Sequence, residues 1–308
     1  MVIVLAFAAA LCYALGFVMQ YHEAHGAPER LFLSPRLLLE LCHHKIWVLG
    51  IVVMLVGAGF QTWALDSGSL AVVEPILTTS LLFALLLSAA WRHERLQRRE
   101  WLGALLISAG LGVLLGVGSP TIGNSDMAGY QWLLVVATTC GSALVMVRAG
   151  RNTSNPSTRA ALVGAAAGVL FGLQDVLTHY CLHLMSTDPS ALLVSWQAYL
   201  LVVSGIYGLV LAQSAYEAGP LPAGLPPIAV GEPLVGMLIG LFALNEQLDA
   251  STAALVVESA GAAVMIAGTW LLGRSPLVCG GRHPSRLAVA EAMAEAMPRR
   301  VPVTSQVG

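Results

Sequence analysis

The chain has 308 residues, of which 57% are hydrophobic and 10% charged. Soluble domains carry about 25% charged residues, so the composition excludes a soluble globular domain and points to an all-α integral membrane protein. The formal net charge of −2 comes from residues dispersed over loops, which excludes the basic patch that a nucleic-acid partner needs.

Five cysteines, scattered and odd in number, form neither a disulfide framework nor a CxxC pair. Fourteen arginines against one lysine, with abundant alanine, suggest a bacterial genome rich in G and C. No P-loop, GxSxG, HExxH or dinucleotide fingerprint occurs, so neither an enzyme nor a cofactor is expected. With no ATP-binding domain in the sequence, active transport would draw on an ion gradient or the membrane potential.

A hydrocarbon core of ~30 Å needs about 20 apolar residues per helix. On that measure nine spans are predicted, at residues 2–22, 45–65, 70–91, 99–119, 128–148, 159–182, 190–212, 224–244 and 250–272. The first lacks a basic n-region and an A-x-A cleavage site, so it reads as a retained helix rather than a signal peptide. It carries Gln20. The long connection 23–44 has room for a re-entrant or interfacial segment at residues 31–42. His22, Glu23, His25, His43 and His44 in and beside it lack fixed ligand spacing and read as a solvated loop. Metal ligands are therefore not assigned.

The second span bears Gln61. The third opens on Glu74-Pro75 with Thr78 close by; proline after an acid frees a carbonyl in the preceding turn and bends the helix. The sixth has Gly164, Gly168 and Gly172, a small-xxx-small series that permits close helix contact. Asp175 and His179 continue that face, with Gln174 beside it, so the sixth span is expected to line a substrate path. Gln213 closes the seventh span. Glu232-Pro233 lies in the eighth and Glu258 in the ninth. Acids inside a membrane cost a few kcal/mol each and call for a reason. At 1.5 Å per residue, Asp175 and Glu258 lie about 10–12 Å below the outer surface, with Glu74 shallower. Acids from several helices at similar depth can form one cation or proton site, and exposed carboxylates and carbonyls are oxygen donors of the kind Mg²⁺ accepts. The candidate solute or ion pathway is thus Glu74, Asp175, His179, Glu232, Glu258, Gln174, Gln20, Gln61 and Gln213.

All fifteen Lys and Arg residues fall in or beside the first, third and fifth connections and the tail. By the positive-inside rule the N-terminus is outside and the C-terminus cytoplasmic. The second half of the chain repeats the first at an offset of 152 residues: Gln213 falls on Gln61, Pro227 on Pro75, Glu246 on Glu94 and Gly268 on Gly116. Because helix 1 enters from outside and helix 6 from inside, the two four-helix repeats are inverted, with the fifth helix as connector. Such a plan puts a substrate site between halves near the midplane. The expected domains are a first repeat (1–119), a connector (120–158), a second repeat (159–272) and a mobile cytoplasmic tail (273–308).

The early proline, the acid and leucine at the far helix end and the following glycine-bearing helix occur twice. They are Pro75, Glu94-Arg95-Leu96 and Gly103 with Gly110, then Pro227, Glu246-Gln247-Leu248 and Gly261 with Gly268. This arrangement resembles the drug/metabolite transporter (EamA-like) superfamily. The nine-helix count and the 47–82 segment, with Val73-x-Pro75, look closest to its NIPA-type magnesium transporter branch, with Glu74 where that branch usually has a small neutral residue. The resemblance implies a transporter in the bacterial inner membrane whose partners are the bilayer and a small solute or divalent cation. Small-residue faces would permit a homodimer. The alternatives are a NIPA-like Mg²⁺ transporter and a membrane scaffold with no solute of its own.

Overall fold

The computed structural model describes residues 1–67, 73, 76–91, 98–117, 127, 129–243 and 252–273. Among these it is wholly helical. The helices are α1 (Val2–His25), α2 (Arg36–Leu41), α3 (Lys45–Ser67), α4 (Thr79–Trp91), α5 (Arg98–Val117), α6 (Gly129–Asn152), α7 (Pro156–Thr187), α8 (Pro189–Leu192), α9 (Trp196–Ala218), α10 (Leu221–Ala243) and α11 (Thr252–Gly273). Each predicted span overlaps one of the long helices. Among the described residues, six helices are long and apolar enough to cross a membrane: α1, α3, α6, α7, α9 and α10. Of the expected pathway residues, Glu74 and the side chain of Glu258 lie outside the described residues, as do Pro75, Glu94 and Glu246.

Two boundaries differ from the sequence reading for a local reason. The sixth helix is longer than the apolar run 159–182 because Asn155 accepts hydrogen bonds from the Ser157 and Thr158 amides, with Pro156 in the first turn. It then continues to Thr187, giving 32 residues and a length of about 48 Å. The seventh span, expected from 190, starts at Trp196. Asp188 caps the one-turn helix α8 in between, accepting from the Ser190 amide (3.1 Å) and the Ser190 hydroxyl (2.6 Å). Those three hydrogen bonds, counting the Ala191 amide, hold the Asp188 carboxyl below its ordinary pKa.

The connection after α1 is ordered. A 3₁₀ turn at Glu29–Leu31 leads into α2, whose Leu37 and Leu41 are buried in the main core. Between them Leu33 adopts a left-handed backbone (φ 59°), uncommon for a leucine. Its amide donates to the Ser214 hydroxyl at 3.1 Å, which fixes the turn against α9. Phe32 lies under the Arg159 guanidinium, 5.5 Å from ring centre.

α1 packs on α3 and α4, α7 on α9, α10 and α6, and α5 on α11. Glycines set these approaches. A Cβ at Gly164 would stand 2.5 Å from the Gly224 carbonyl oxygen, and one at Gly172 would stand 2.6 Å from that of Glu232. The small-residue series of α7 therefore seats it in near-backbone contact with a parallel α10. α5 and α11 cross antiparallel, with Gly110 against the Gly261 carbonyl and Gly103 against that of Gly268. The ends of α1, α4, α6 and α9 and the starts of α3, α5, α7 and α10 meet at one end of the bundle, tied by His22–Trp91, His25–Tyr216 and Gly219–Pro156 contacts. Every described Lys and Arg lies at that end, called the basic end below.

Candidate functional site

A cavity of about 660 Å³ opens between α1, α3, α4, α5, α7, α9 and α10. Its walls are mostly apolar, contributed by Phe17, Ile51, Leu81, Ile107, Phe171 and Ile228 among others. The polar groups on it include five of the residues singled out from sequence: Gln20, Gln61, Asp175, Gln213 and Glu232. Five helices drawn from both halves of the chain thus bring these polar side chains to one space.

The two carboxylates owe their position to glycine. Gly172 lets α7 touch the backbone of α10 at Glu232, and Asp175 follows Gly172 by three residues, about 4.5 Å along the helix. Asp175 is exposed to the cavity and Glu232 half-buried. Pro233 occupies the next position on the cavity wall, inside a helix that also carries Pro226 and Pro227. No lysine, arginine or histidine is among the described lining residues.

The glutamines are held in place. Gln213 is fully buried; it accepts from the Trp47 indole N–H at 3.1 Å and donates through Nε2 to Gln20 Oε1 at 2.6 Å. Gln20 in turn donates to Met54 Sδ. This relay joins α1, α3 and α9 and forms the cavity floor toward the basic end. Beneath it Tyr216 meets Tyr21 edge-on, Tyr21 stacks on His25, and the His25 ring is 3.1 Å from the Tyr216 carbonyl. Gln61 lies toward the other end, accepting from the Tyr13 hydroxyl at 2.6 Å. Thr78 and Ser108 exchange hydroxyl-to-carbonyl hydrogen bonds across α4 and α5.

Two expected pathway residues lie elsewhere. Gln174 turns toward α9, its Oε1 3.3 Å from where a Cβ at Gly205 would stand and buried there without a hydrogen-bond partner among the described residues. His179 is exposed and is not a lining residue, and no hydrogen bond joins it to Asp175. The loop histidines are exposed but engaged: His44 pairs with Glu23 at 2.7 Å, His22 lies against Trp91, and His25 against Tyr21 and Tyr216. No group of three or more potential metal ligands occurs among the described residues.

Sequence reasoning passed over Tyr13, Phe17, Trp47, Met54 and Tyr216. A signal for two of them was present: Tyr13, Phe17 and Gln20 recur at four- and three-residue steps, which places them on one face of α1.

Residues 29–116, under a third of the chain, match the EamA-like transporter family. An uncharacterised protein of Corynebacterium glutamicum is 28% identical over 283 residues, 91% of this chain and 96% of its own length. The probable magnesium transporter NIPA9 of Arabidopsis thaliana is 23% identical over 254 residues, 79% of this chain and 73% of its own. No solved structure matches. The matched family consists of transporters rather than enzymes. Residues 29–116 are thus similar to the EamA-like transporter family, and the chain as a whole is similar, at low identity, to a probable magnesium transporter of the NIPA type.

Proposed function

We propose that the chain carries a small solute across the bacterial inner membrane by alternating access, with the cavity as its binding site. The observation that carries this reading is the convergence of Gln20 and Gln61 from the first half with Asp175, Gln213 and Glu232 from the second on one space. The packing supports inverted repeats: α1 on α3 and α4 is mirrored by α7 on α9 and α10, and α5 meets its counterpart α11 antiparallel. The gathering of described basic residues at one end supports a cytoplasmic basic end with the N-terminus outside. Two carboxylates without a basic side chain on the lining favour a solute that is cationic or neutral over an anion.

A second reading, Mg²⁺ or a related divalent cation, is favoured by the likeness to NIPA9. Asp175, Glu232 and the glutamine amides offer oxygen donors, and a cavity of this size would take the ion with water still bound.

The test is Mg²⁺ entry into proteoliposomes of the full chain, with a trapped fluorescent indicator and an imposed inside-negative potential. The Asp175→Asn, Glu232→Gln double variant runs alongside. Entry that the double variant loses supports the divalent reading and its site. Absence of entry at any potential removes it, leaving proton-coupled or uncoupled uptake of organic cations and neutral solutes. For a proton-coupled solute Asp175→Asn flattens the pH profile of uptake, whereas for a divalent ion it mainly weakens affinity. Uptake of the identified solute that survives both substitutions overturns the site.

A further inference from the structure

We propose that Gln213 and Gln61 are a symmetry-related pair of gate residues, closed in turn by Trp47 and Tyr199. The proposal rests on the inverted-repeat, alternating-access reading above. At the offset of 152 residues that aligns the halves, Gln213 corresponds to Gln61 and Tyr199 to Trp47. The offset also superposes the helices themselves, since α3 (Lys45–Ser67) falls on α9 (Trp196–Ala218). Trp47 and Tyr199 both stand in the first turn of their helices, and each glutamine stands 14 residues further on, about 21 Å along the axis. Because the repeats run in opposite directions, Gln213 is at the basic end of the cavity and Gln61 toward the other.

The symmetric positions are in opposite states. Trp47 is 5% exposed and its indole N–H reaches across the halves to Gln213, which is fully buried and also bonded to Gln20. Tyr199 is 63% exposed and its hydroxyl is spent on the Leu193 carbonyl six residues before it (2.7 Å). Gln61 is only partly buried and is held within its own half by Tyr13. A two-fold related pair in which one member is closed and the other is not describes one state of a two-state device. Applying the same relation to the Trp47–Gln213 bond gives its counterpart in the other state, a Tyr199–Gln61 bond. In the cycle the basic end opens as Gln213 gives up the Trp47 indole. The opposite end closes as the Tyr199 hydroxyl leaves Leu193 for Gln61. Both aromatic residues are positioning groups and neither needs to touch the solute.

The experiment needs no identified solute. In the full chain with Cys12, Cys42, Cys140, Cys181 and Cys279 replaced by serine, Ala229→Cys places one thiol on the cavity wall midway along α10. Its labelling by a membrane-impermeant maleimide is timed in right-side-out and in inside-out vesicles. Tyr199→Phe keeps the ring and removes only the hydroxyl, and Trp47→Phe keeps an aromatic side chain while removing the indole N–H. One interhelical hydrogen bond biases the two states by about three- to tenfold. Trp47→Phe is expected to speed labelling from the basic end by that factor and to slow it from the opposite end. Tyr199→Phe is expected to do the reverse by a smaller factor, since it also removes the exposed Tyr199–Leu193 bond of the present state. Rates that neither substitution alters, or that rise at both faces together, overturn the gate assignment while leaving the cavity accessible. A thiol that no variant exposes at either face overturns the alternating-access reading, and the gates with it.

Discussion

Gln213 has two side-chain partners and no exposure, so Gln213→Leu leaves an indole N–H and an amide oxygen facing apolar surroundings. Interhelical hydrogen bonds in membrane proteins are worth about 0.6 kcal/mol on average and up to about 1.7. The substitution is therefore expected to destabilise by about 1–2 kcal/mol, read as a lower unfolding temperature in detergent. Gln61→Leu, at a partly buried position with one partner, is expected to lose less. An equal loss at both positions would mean that burial does not set the strength of these bonds. The polar side chains of the cavity were legible in the sequence because Gln20, Gln61, Asp175, Gln213 and Glu232 interrupt otherwise apolar runs, where each polar group needs a partner or a purpose. Trp47 and Tyr216 were not. Aromatic residues sit equally well against lipid, as Trp63 and Tyr207 do, both more than half exposed. Gln174 and Asp175 are neighbours in sequence, but consecutive residues point about 100° apart around a helix, and Gln174 turns to α9, which comes close to α7 at Gly205.

Helix–helix seams make the next predictions. Gly168→Val puts a branched side chain where even a Cβ would stand 2.8 Å from the Ile228 carbonyl, so α7 and α10 must part. A loss of a few kcal/mol is expected, by analogy with overpacking a core. Gly141→Ala in α6 meets nothing within 4 Å and is expected to be neutral or stabilising by up to about 1 kcal/mol. Thermal unfolding of the two variants side by side checks the contrast. The α8 turn responds to acid. Since the Asp188 carboxyl is held below its ordinary pKa, its cap is fully formed above about pH 4 and is lost as pH falls through the lowered value. Amide exchange at Ser190 and Ala191 is expected to accelerate there relative to intrinsic rates, and Asp188→Ala is expected to remove that acceleration. The helices themselves were legible from apolar run length, and the α7 glycine series from its spacing. Their ends were not, because Asn155 and Asp188 fix them through hydrogen bonds that hydropathy does not register.

At the scale of the molecule, the offset between the halves was legible in the sequence, since Gln213 over Gln61 and Gly268 over Gly116 need only a count. The tie between the connection 29–41 and α9 was not, because it depends on a left-handed leucine and a serine 181 residues away. Orientation has a native probe in Cys42, which is exposed at the basic end. With the other cysteines changed to serine, an impermeant maleimide is expected to label it in inside-out vesicles and to leave it untouched in right-side-out ones. The reverse result would invert the topology. The glycine seam between α7 and α10 has a mechanical consequence. Two parallel helices in near-backbone contact bend and turn as a single beam, because sliding one along the other would drive carbonyl oxygens into Cα atoms. Asp175 and Glu232 both ride on that beam. On the proposed reading, their spacing stays constant while the surrounding helices rock, and a cation between them would meet the same grip from either side. Such a carrier has no built-in direction. The gradients across the bilayer alone determine which way its cargo runs.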